Sequence, residues 1–428
     1  MTTPFRAAAW LLILGGAARA QTSTPGVPLR LQEVLRLARE HNPDLAAARA
    51  DLEAACAQRD AAVALPNPVL SYSTSKIPTD GTPADTVYGN DFYSRSYDTV
   101  VSAGQLVEIG GKRGSRRTSA DAGIAAAEAR LSDAGRLLDA SVVKAYVAAA
   151  VAERSAALSR DSAASFERSA TIAREREAAG DLSVSDRTQV EIAAGKLLAD
   201  AAQADLAAAN ARRTLAALLG WPALELGDDL DALAASDAGA GPEDAAALAK
   251  RPDLLALEAA VRRADADLAL QKAFRVPDPT LSVQYEREPP DQRNTFGFAV
   301  SLPLPVFNRN AGGIRAAAVA AESARRDLVR GRLRAEQDLA ATREALESAL
   351  ARAGRLSAEL APKARSVRET VRYAWEQGGA SLLELLEAER NANDVLLAAA
   401  AAQGDLAAAR ADYRAARLQP VLPESQQP

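Results

Sequence analysis

Two short stretches decide the fold: Leu281-Ser282-Val283-Gln284-Tyr285-Glu286-Arg287-Glu288 and Thr295-Phe296-Gly297-Phe298-Ala299-Val300-Ser301-Leu302. In the first, Leu281, Val283, Tyr285 and Arg287 alternate with Ser282, Gln284, Glu286 and Glu288. In the second, Phe296, Phe298, Val300 and Leu302 alternate with Thr295, Gly297, Ala299 and Ser301. A period of two puts alternate side chains on opposite faces of a strand, here one apolar face and one small or polar face. Strands over 280–288 and 294–302 form one hairpin. Looser versions over 69–77, with Leu70 and Tyr72, and over 96–107, with Val101, form a second. The segment 78–95 between these last two holds Pro78, Gly81, Pro83, Gly89 and Asn90 and reads as a long exposed loop. Strands of about ten tilted residues are long enough to cross an outer membrane. Four strands cannot close a barrel, and open edges are not tolerated in lipid. Since the smallest bacterial barrels have about eight strands, several chains must contribute to one barrel.

The strands belong to a tandem repeat. Asn42-Pro43-Asp44-Leu45 opens a helical run that stops at Leu65-Pro66-Asn67-Pro68; Arg251-Pro252-Asp253-Leu254 opens one that stops at Val276-Pro277-Asp278-Pro279. Each run leads to a strand pair, then to Gly110-Gly111 or Gly312-Gly313. A very long helical stretch follows, broken at Gly180 or Gly378, then an acidic residue, Asp186 or Glu384, and a return helix. The same landmarks in the same order, about 200 residues apart, mark a duplication. The predicted helices are 44–64, 112–179 and 185–219 in the first half, and 253–274, 312–376 and 382–417 in the second. Pro362 should kink the second long helix. The 112–179 stretch has no proline and is dense in good helix formers; a helix of that length is about 100 Å long.

Composition narrows the function. The 428 residues are 48% hydrophobic but only 4% aromatic, with alanine filling much of the apolar class, which suits helices packed closely along their lengths. A net charge of −5 argues against nucleic-acid binding. One Cys and one His exclude a disulfide framework, a Cys/His zinc site and most His-based catalysis within one chain. Residues 1–20 read as a signal peptide: Arg6, the apolar run Ala7 to Ala17, then Ala18-Arg19-Ala20 before Gln21. Gln21 is not the cysteine of a lipid anchor, and no later segment is apolar enough for a transmembrane helix.

The stretch Leu31 to Leu45, the Pro66-Asn67-Pro68 stop, Gln105-Leu106-Val107-Glu108-Ile109-Gly110-Gly111-Lys112-Arg113, Ser301-Leu302-Pro303-Leu304-Pro305-Val306-Phe307-Asn308-Arg309 and Gly378-Gly379 followed by Glu384 together resemble the TolC-like outer-membrane efflux proteins. The Glu108 to Arg113 segment and the missing lipid-anchor cysteine look most like the heavy-metal (cobalt–zinc–cadmium) efflux subgroup. The resemblance implies an α+β, mostly α fold. Long helical hairpins would build a periplasmic α-barrel, and four strands per chain would join a trimeric 12-stranded outer-membrane β-barrel. The chain then divides into the leader 1–20, a first repeat 21–220, an equatorial connection 221–250, a second repeat 251–418 and a tail 419–428. It implies a homotrimer in outer-membrane lipid that extends into the periplasm. Its partners would be a periplasmic adaptor (membrane fusion) protein and an inner-membrane efflux pump; no cofactor and no nucleic acid are expected. The function implied is a passive export duct within a tripartite system, with heavy-metal cations as the cargo the subgroup suggests. A periplasmic coiled-coil adaptor or scaffold is the alternative that long hairpins also fit. A periplasmic enzyme ranks third, since no nucleophile–base set or metal cluster stands out.

Candidate sites follow. Gly110-Gly111-Lys112-Arg113 hints at a phosphate loop, but Leu106 stands where that motif needs glycine and Arg113 where it needs Ser or Thr. The better reading is a sharp strand-to-helix turn. Its cations Lys112, Arg113, Arg116 and Arg117 sit at an unfavourable helix N-terminus and contact lipid head groups or neighbouring carboxylates, or form a solvated face. Tyr72, Tyr285, Phe296 and Phe298 are candidate membrane-facing or interface-belt aromatics, against ordinary sheet packing. His41 reads as a helix-terminal residue and Cys56 as a small buried hydrophobe. By the resemblance, the turns at Gly180, Gly378 and Gly379 form the periplasmic entrance, where Asp186, Glu384 and Glu387 ring the pore. The competing reading gives these carboxylates to the helix dipole. Ala380 stands where family members carry a basic latch residue, which leaves Arg187 as the candidate replacement.

Overall fold

The computed structural model describes residues 29–75, 98–220, 227, 230–235, 244–288 and 292–419. The leader, the loop 78–95 and nearly all of the tail 419–428 lie outside the described residues, as do the last two residues of the predicted strand 69–77 and the first two of 96–107. In chain order the elements are α1 (Leu31–His41), α2 (Pro43–Val63), β1 (Val69–Ser75), β2 (Asp98–Leu106), α3 (Lys112–Ala178), α4 (Val184–Leu219), α5 (Leu230–Ala235), α6 (Asp244–Ala249), α7 (Pro252–Ala273), β3 (Thr280–Glu288), β4 (Gln292–Ser301), α8 (Ala311–Ala353), a π-helical segment (Gly354–Leu360), α9 (Ala361–Glu376) and α10 (Leu382–Ala416). None of the described helices is long and apolar enough to cross a membrane.

The strands form one antiparallel sheet in the order β1-β2-β3-β4. The hairpins lie side by side because β2 pairs with β3, which leaves β1 and β4 as edges. The helices continue the layer. Next to the sheet, α2 packs on α3, α3 on α7 and α7 on α8; farther away, α4 packs on α3, α3 on α10, and α10 on α8 and α9. At every level, therefore, the first half of the chain supplies one side of a single layer and the second half the other.

Local chemistry sets the helix limits. Asn42 caps α2 by accepting the Leu45 N–H at 3.0 Å, with Pro43 in the first turn. Gly110 and Gly111 both take positive φ, 72° and 79°, so the chain turns from the end of β2 into α3 in a conformation that favours glycine. Within α3, buried Ala156, Ser159, Ala163, Phe166, Ala170 and Ala173 recur at alternating spacings of three and four. On α4 the buried series is Val190, Ala194, Ala201, Ala208 and Leu215. This is a heptad seam made mostly of small residues, which lets the two backbones approach closely. Larger side chains gather around α1, where Val34, Val142, Tyr146, Leu215, Leu219 and Leu230 are fully buried in one core cluster.

Two expectations need correcting. Cys56 is exposed, not buried: α2 buries only Leu45, so most of its alanine-rich surface faces away from α3. The second long helix is not simply bent at Pro362. It widens into the seven-residue π segment immediately before Pro362, where the Ala361 N–H bonds back to the Leu356 carbonyl and the chain stays helical into α9.

Candidate functional site

The molecule offers two candidate regions at opposite ends, the sheet and the hairpin tips. In the sheet, cross-strand partners share a face. Leu70 lies opposite Ala103, Tyr72 opposite Val101, Val101 opposite Tyr285, Leu281 opposite Val300, Val283 opposite Phe298 and Tyr285 opposite Phe296. Most of the large apolar residues of the strands therefore collect on one side, although Val69, Val100 and Leu106 lie on the other. The other side carries Ser71, Ser73, Ser102, Gly104, Ser282, Gln284, Thr295, Gly297 and Ser301. Phe296 and Phe298 are 81% and 87% exposed, and Tyr72 is also exposed. The Tyr285 ring packs tilted against Phe296, with centroids 5.4 Å apart, and its hydroxyl hydrogen-bonds Asn294. Ordinary packing of this face within the chain is thus not what the structure has. On the polar side, Gln284 lies flat over Gly297, where an added Cβ would approach its side chain to 3.0 Å.

Beneath the sheet, the basic cluster finds partners in both halves of the chain. Lys112 is buried, 2.7 Å from an Asp278 carboxylate oxygen, and donates to the Val276 carbonyl at 2.5 Å. Arg116 forks onto Glu108 at 2.5 and 2.7 Å and donates to the Ala62 carbonyl, while Arg113 donates to the Val63 carbonyl. Cations that are unfavourable at the start of α3 are thereby placed at the C-terminus of α2, where the helix dipole favours them. Hydrogen bonds from Arg116 hold the Glu108 carboxyl below the usual carboxylate range, although burial opposes this. At Asp278 burial pushes upward, but Lys112 and the Ile109 N–H at 2.9 Å outweigh it and lower the carboxyl. Of the readings of this cluster, neighbouring carboxylates account for Lys112 and Arg116, and helix-end carbonyls for Arg113.

At the tips, Gly180 and Gly378 have φ of 85° and 77°, and the Gly379 N–H reaches the Ala374 carbonyl at 2.7 Å. Ser183 caps α4 through the Asp186 N–H and donates its hydroxyl to the Asp186 carboxylate at 2.8 Å. Ser381 and Glu384 form a reciprocal capping box, and hydrogen bonds from the Ser381 N–H and hydroxyl lower the Glu384 carboxyl. Asp186 and Glu384 thus serve helix starts. Glu387 lies three residues on from Glu384, on the same face, and is exposed. Arg187 is engaged inside its own hairpin, with Glu191 at 3.1 Å and Glu177 at 3.8 Å. The contact joining the two tips is instead Arg176, which donates to the Trp375 carbonyl at 3.0 Å and stacks on the buried Trp375 ring. His41 ends α1 with its Nδ1 3.1 Å from the Leu37 carbonyl.

Sequence reasoning missed a polar layer above the tips. Glu389 is 4% exposed on α10; one turn on, Asn393 accepts from Ser162 of α3 at 3.2 Å, and Ser162, Ser165 and Ser169 are all buried. Arg372 of α9 donates to the Ser165 hydroxyl at 3.1 Å. Burial pushes the Glu389 carboxyl up, against the pull of Arg368, Arg372 and Arg168. A signal existed: Leu385, Glu389, Ala392, Leu396 and Ala399 keep the heptad spacing of a buried seam.

Comparison with known proteins assigns this architecture. The family model described as outer membrane efflux protein matches residues 34–221 and 245–417. The chain is 26% identical over 370 residues to the cobalt-zinc-cadmium resistance protein CzcC of Cupriavidus metallidurans, covering 85% of this chain and 84% of that one. Among solved structures, the open state of the Neisseria gonorrhoeae MtrE outer membrane channel superposes with a TM-score of 0.75 at 24% identity, covering 91% of this chain and 89% of that one. CusC, solved in a study of folding and transmembrane channel formation, gives 0.75 at 18% identity, with 91% and 92% covered. The match runs through both repeats, and the family consists of channels, not enzymes. The chain belongs to the outer membrane efflux protein family and is a channel component of the outer membrane that extends into the periplasm.

Proposed function

We propose that three copies of the chain form one continuous duct, a 12-stranded barrel above a helical tunnel, that exports divalent heavy-metal cations. The carrying observation is the open four-stranded sheet with an apolar face on one side and hydroxyl-bearing, small side chains on the other. Lipid needs closure, and three such sheets joined edge to edge give it, with aromatics outward and serines toward water. Tyr72, Tyr285, Phe296 and Phe298 then face lipid. Asp186, Glu384 and Glu387, repeated three times, surround the periplasmic entrance and favour cations there. The resistance to cobalt, zinc and cadmium named for CzcC supports the choice of cargo. A duct of this kind carries no energy source, so an inner-membrane pump supplies the work and a periplasmic adaptor bridges to the hairpin tips.

The test is metal content in the native host. Deletion of the gene should raise cell-associated cobalt, zinc or cadmium under metal load, and restoring the gene should reverse it. Unchanged metal content, with new sensitivity to organic compounds instead, would reject the cargo.

A further inference from the structure

Beneath the sheet the layer runs α2, α3, α7 and α8, and a groove of about 480 Å³ is formed by the first three. Its floor is α3, at Ser119, Ala120 and Gly123. Its walls are α2, at Asp51 and Gln58, and α7, at Arg263 and Asp267. A groove floored by one helix and walled by both its neighbours lies on the concave side of the layer. The small floor residues leave it open: a Cβ added at Gly123 would meet only the Arg263 Nη1, at 3.8 Å.

Two guanidinium groups converge in this groove. Lys112 reaches the Val276 carbonyl, Ser119 donates to Asp267 at 2.6 Å, and Arg263 reaches over Gly123. Residue numbers therefore fall along α7 as they rise along α3, and the two helices run antiparallel. Side chains of a helix lean toward its N-terminus. Arg130 of α3, which also lines the groove, thus leans toward the sheet, and Arg263 leans away from it. Arg130 starts about 10 Å along α3 from Gly123, so the two head groups approach each other over the floor. Among the described residues, neither arginine has a hydrogen-bond or ion-pair partner. The other charges in the groove are placed differently. Arg116 is held by Glu108 and Asp267 accepts from Ser119, while Asp51 is free on the α2 wall.

We infer that Arg130 and Arg263 together hold a small polyvalent oxyanion of the phosphate class in this groove. Each guanidinium presents parallel N–H donors as a planar fork. A carboxylate has one edge and fills one fork, whereas a tetrahedral dianion has edges for both at once. Asp51 opposes any anion here, so two attractions act against one repulsion. Placing the site inside the duct rests on the trimeric reading above, because closing the ring turns the concave side inward. The site itself needs only one chain.

The test is equilibrium dialysis of the detergent-extracted full chain against radiolabelled inorganic phosphate, with chloride at matched ionic strength to hold screening constant. Binding should saturate at one phosphate per chain. Arg130→Gln or Arg263→Gln should weaken it at least tenfold, and Asp51→Asn should strengthen it severalfold. Arg326→Gln, at an exposed arginine of α8 outside the groove, should leave it unchanged. Gly123→Leu keeps both arginines but fills the space, so it should also abolish binding; leucine suits a helix interior better than glycine, so this variant should fold. Uptake that does not saturate, or that Arg326→Gln lowers as much as Arg263→Gln does, would overturn the site. Glycerol 3-phosphate bound at least tenfold more tightly than inorganic phosphate would give the groove to organic phosphates and overturn the choice of the free ion. In planar bilayers, phosphate should lower the conductance of the parent but not of Arg263→Gln. Binding without that effect, in particles of three chains by light scattering, would overturn the placement inside the duct. Particles of another mass would sink the trimeric reading, while dialysis would still decide the site.

Discussion

Replacing Lys112 by methionine removes a charge from the junction beneath the sheet while keeping most of the stem's packing. The ammonium is 3% exposed and lies 2.7 Å from Asp278. At an effective dielectric constant of about 20, unit charges at that separation attract by about 6 kcal/mol. Drying the ammonium and carboxylate offsets much of this, so the intact pair adds little net stability. Removing one partner is different, because Asp278 would keep its desolvation cost and retain only the Ile109 N–H and the more distant charge of Arg116. Breaking a fully buried pair costs about 3–5 kcal/mol. The Asp278 side chain is 16% exposed, so some water reaches it, and we expect a loss of about 2–4 kcal/mol per chain. Lys112→Met with Asp278→Asn removes both charges and should recover more than half of that loss. The assay is urea unfolding in detergent at fixed protein concentration, followed by the helical signal. A loss below about 0.5 kcal/mol for Lys112→Met would refute the reasoning and make the pair a solvated surface contact.

The other predictions address the tips, the helical seams and pH. Glu384→Ala with Glu387→Ala should lower cation preference and multivalent-cation block in planar bilayers without affecting assembly; unchanged selectivity would leave Glu384 with helix capping alone and place Glu387 outside the pore. Ala127→Leu places a larger side chain at a buried position of α3 and should cost about 1–3 kcal/mol in thermal or urea unfolding. Gly404→Val should destabilise more, because even a Cβ there would come within 2.4 Å of the Val151 side chain across the α3–α10 contact. Glu389 has a carboxyl raised by burial, so the folded chain binds its proton at a pH where the unfolded chain has released it. That contribution to stability falls as pH rises from the ordinary value near 4.5 through the raised one. Glu389→Gln should therefore be stabilised relative to the parent at neutral pH and lose that advantage near pH 4.5, as read from paired unfolding curves.

What could be read from sequence was what repeats at short range. Strict alternation placed β3 without error and β4 to within two residues, and the proline stops and tip glycines placed the helices to within about two residues. The capping residues Asp186 and Glu384 were legible from position, but position alone could not choose between a pore ring and a helix start. Cys56 was misread because an alanine-rich helix has no apolar stripe to show which face is inward. The pairing of Lys112 with Asp278 spans both repeats, and the Arg176–Trp375 tie does too; neither has a local sequence signal. Pro362 announced a disturbance, but not that the helix would widen into a π segment before it.

The central claim is that this chain is one third of a closed outer-membrane duct. The most direct measurement is the protein mass of the detergent-extracted particle by light scattering, on material whose circular dichroism retains the strand signal. The account predicts three chains per particle. A particle of one chain with its strand signal intact would mean that the open sheet is stable without closure, and would contradict it.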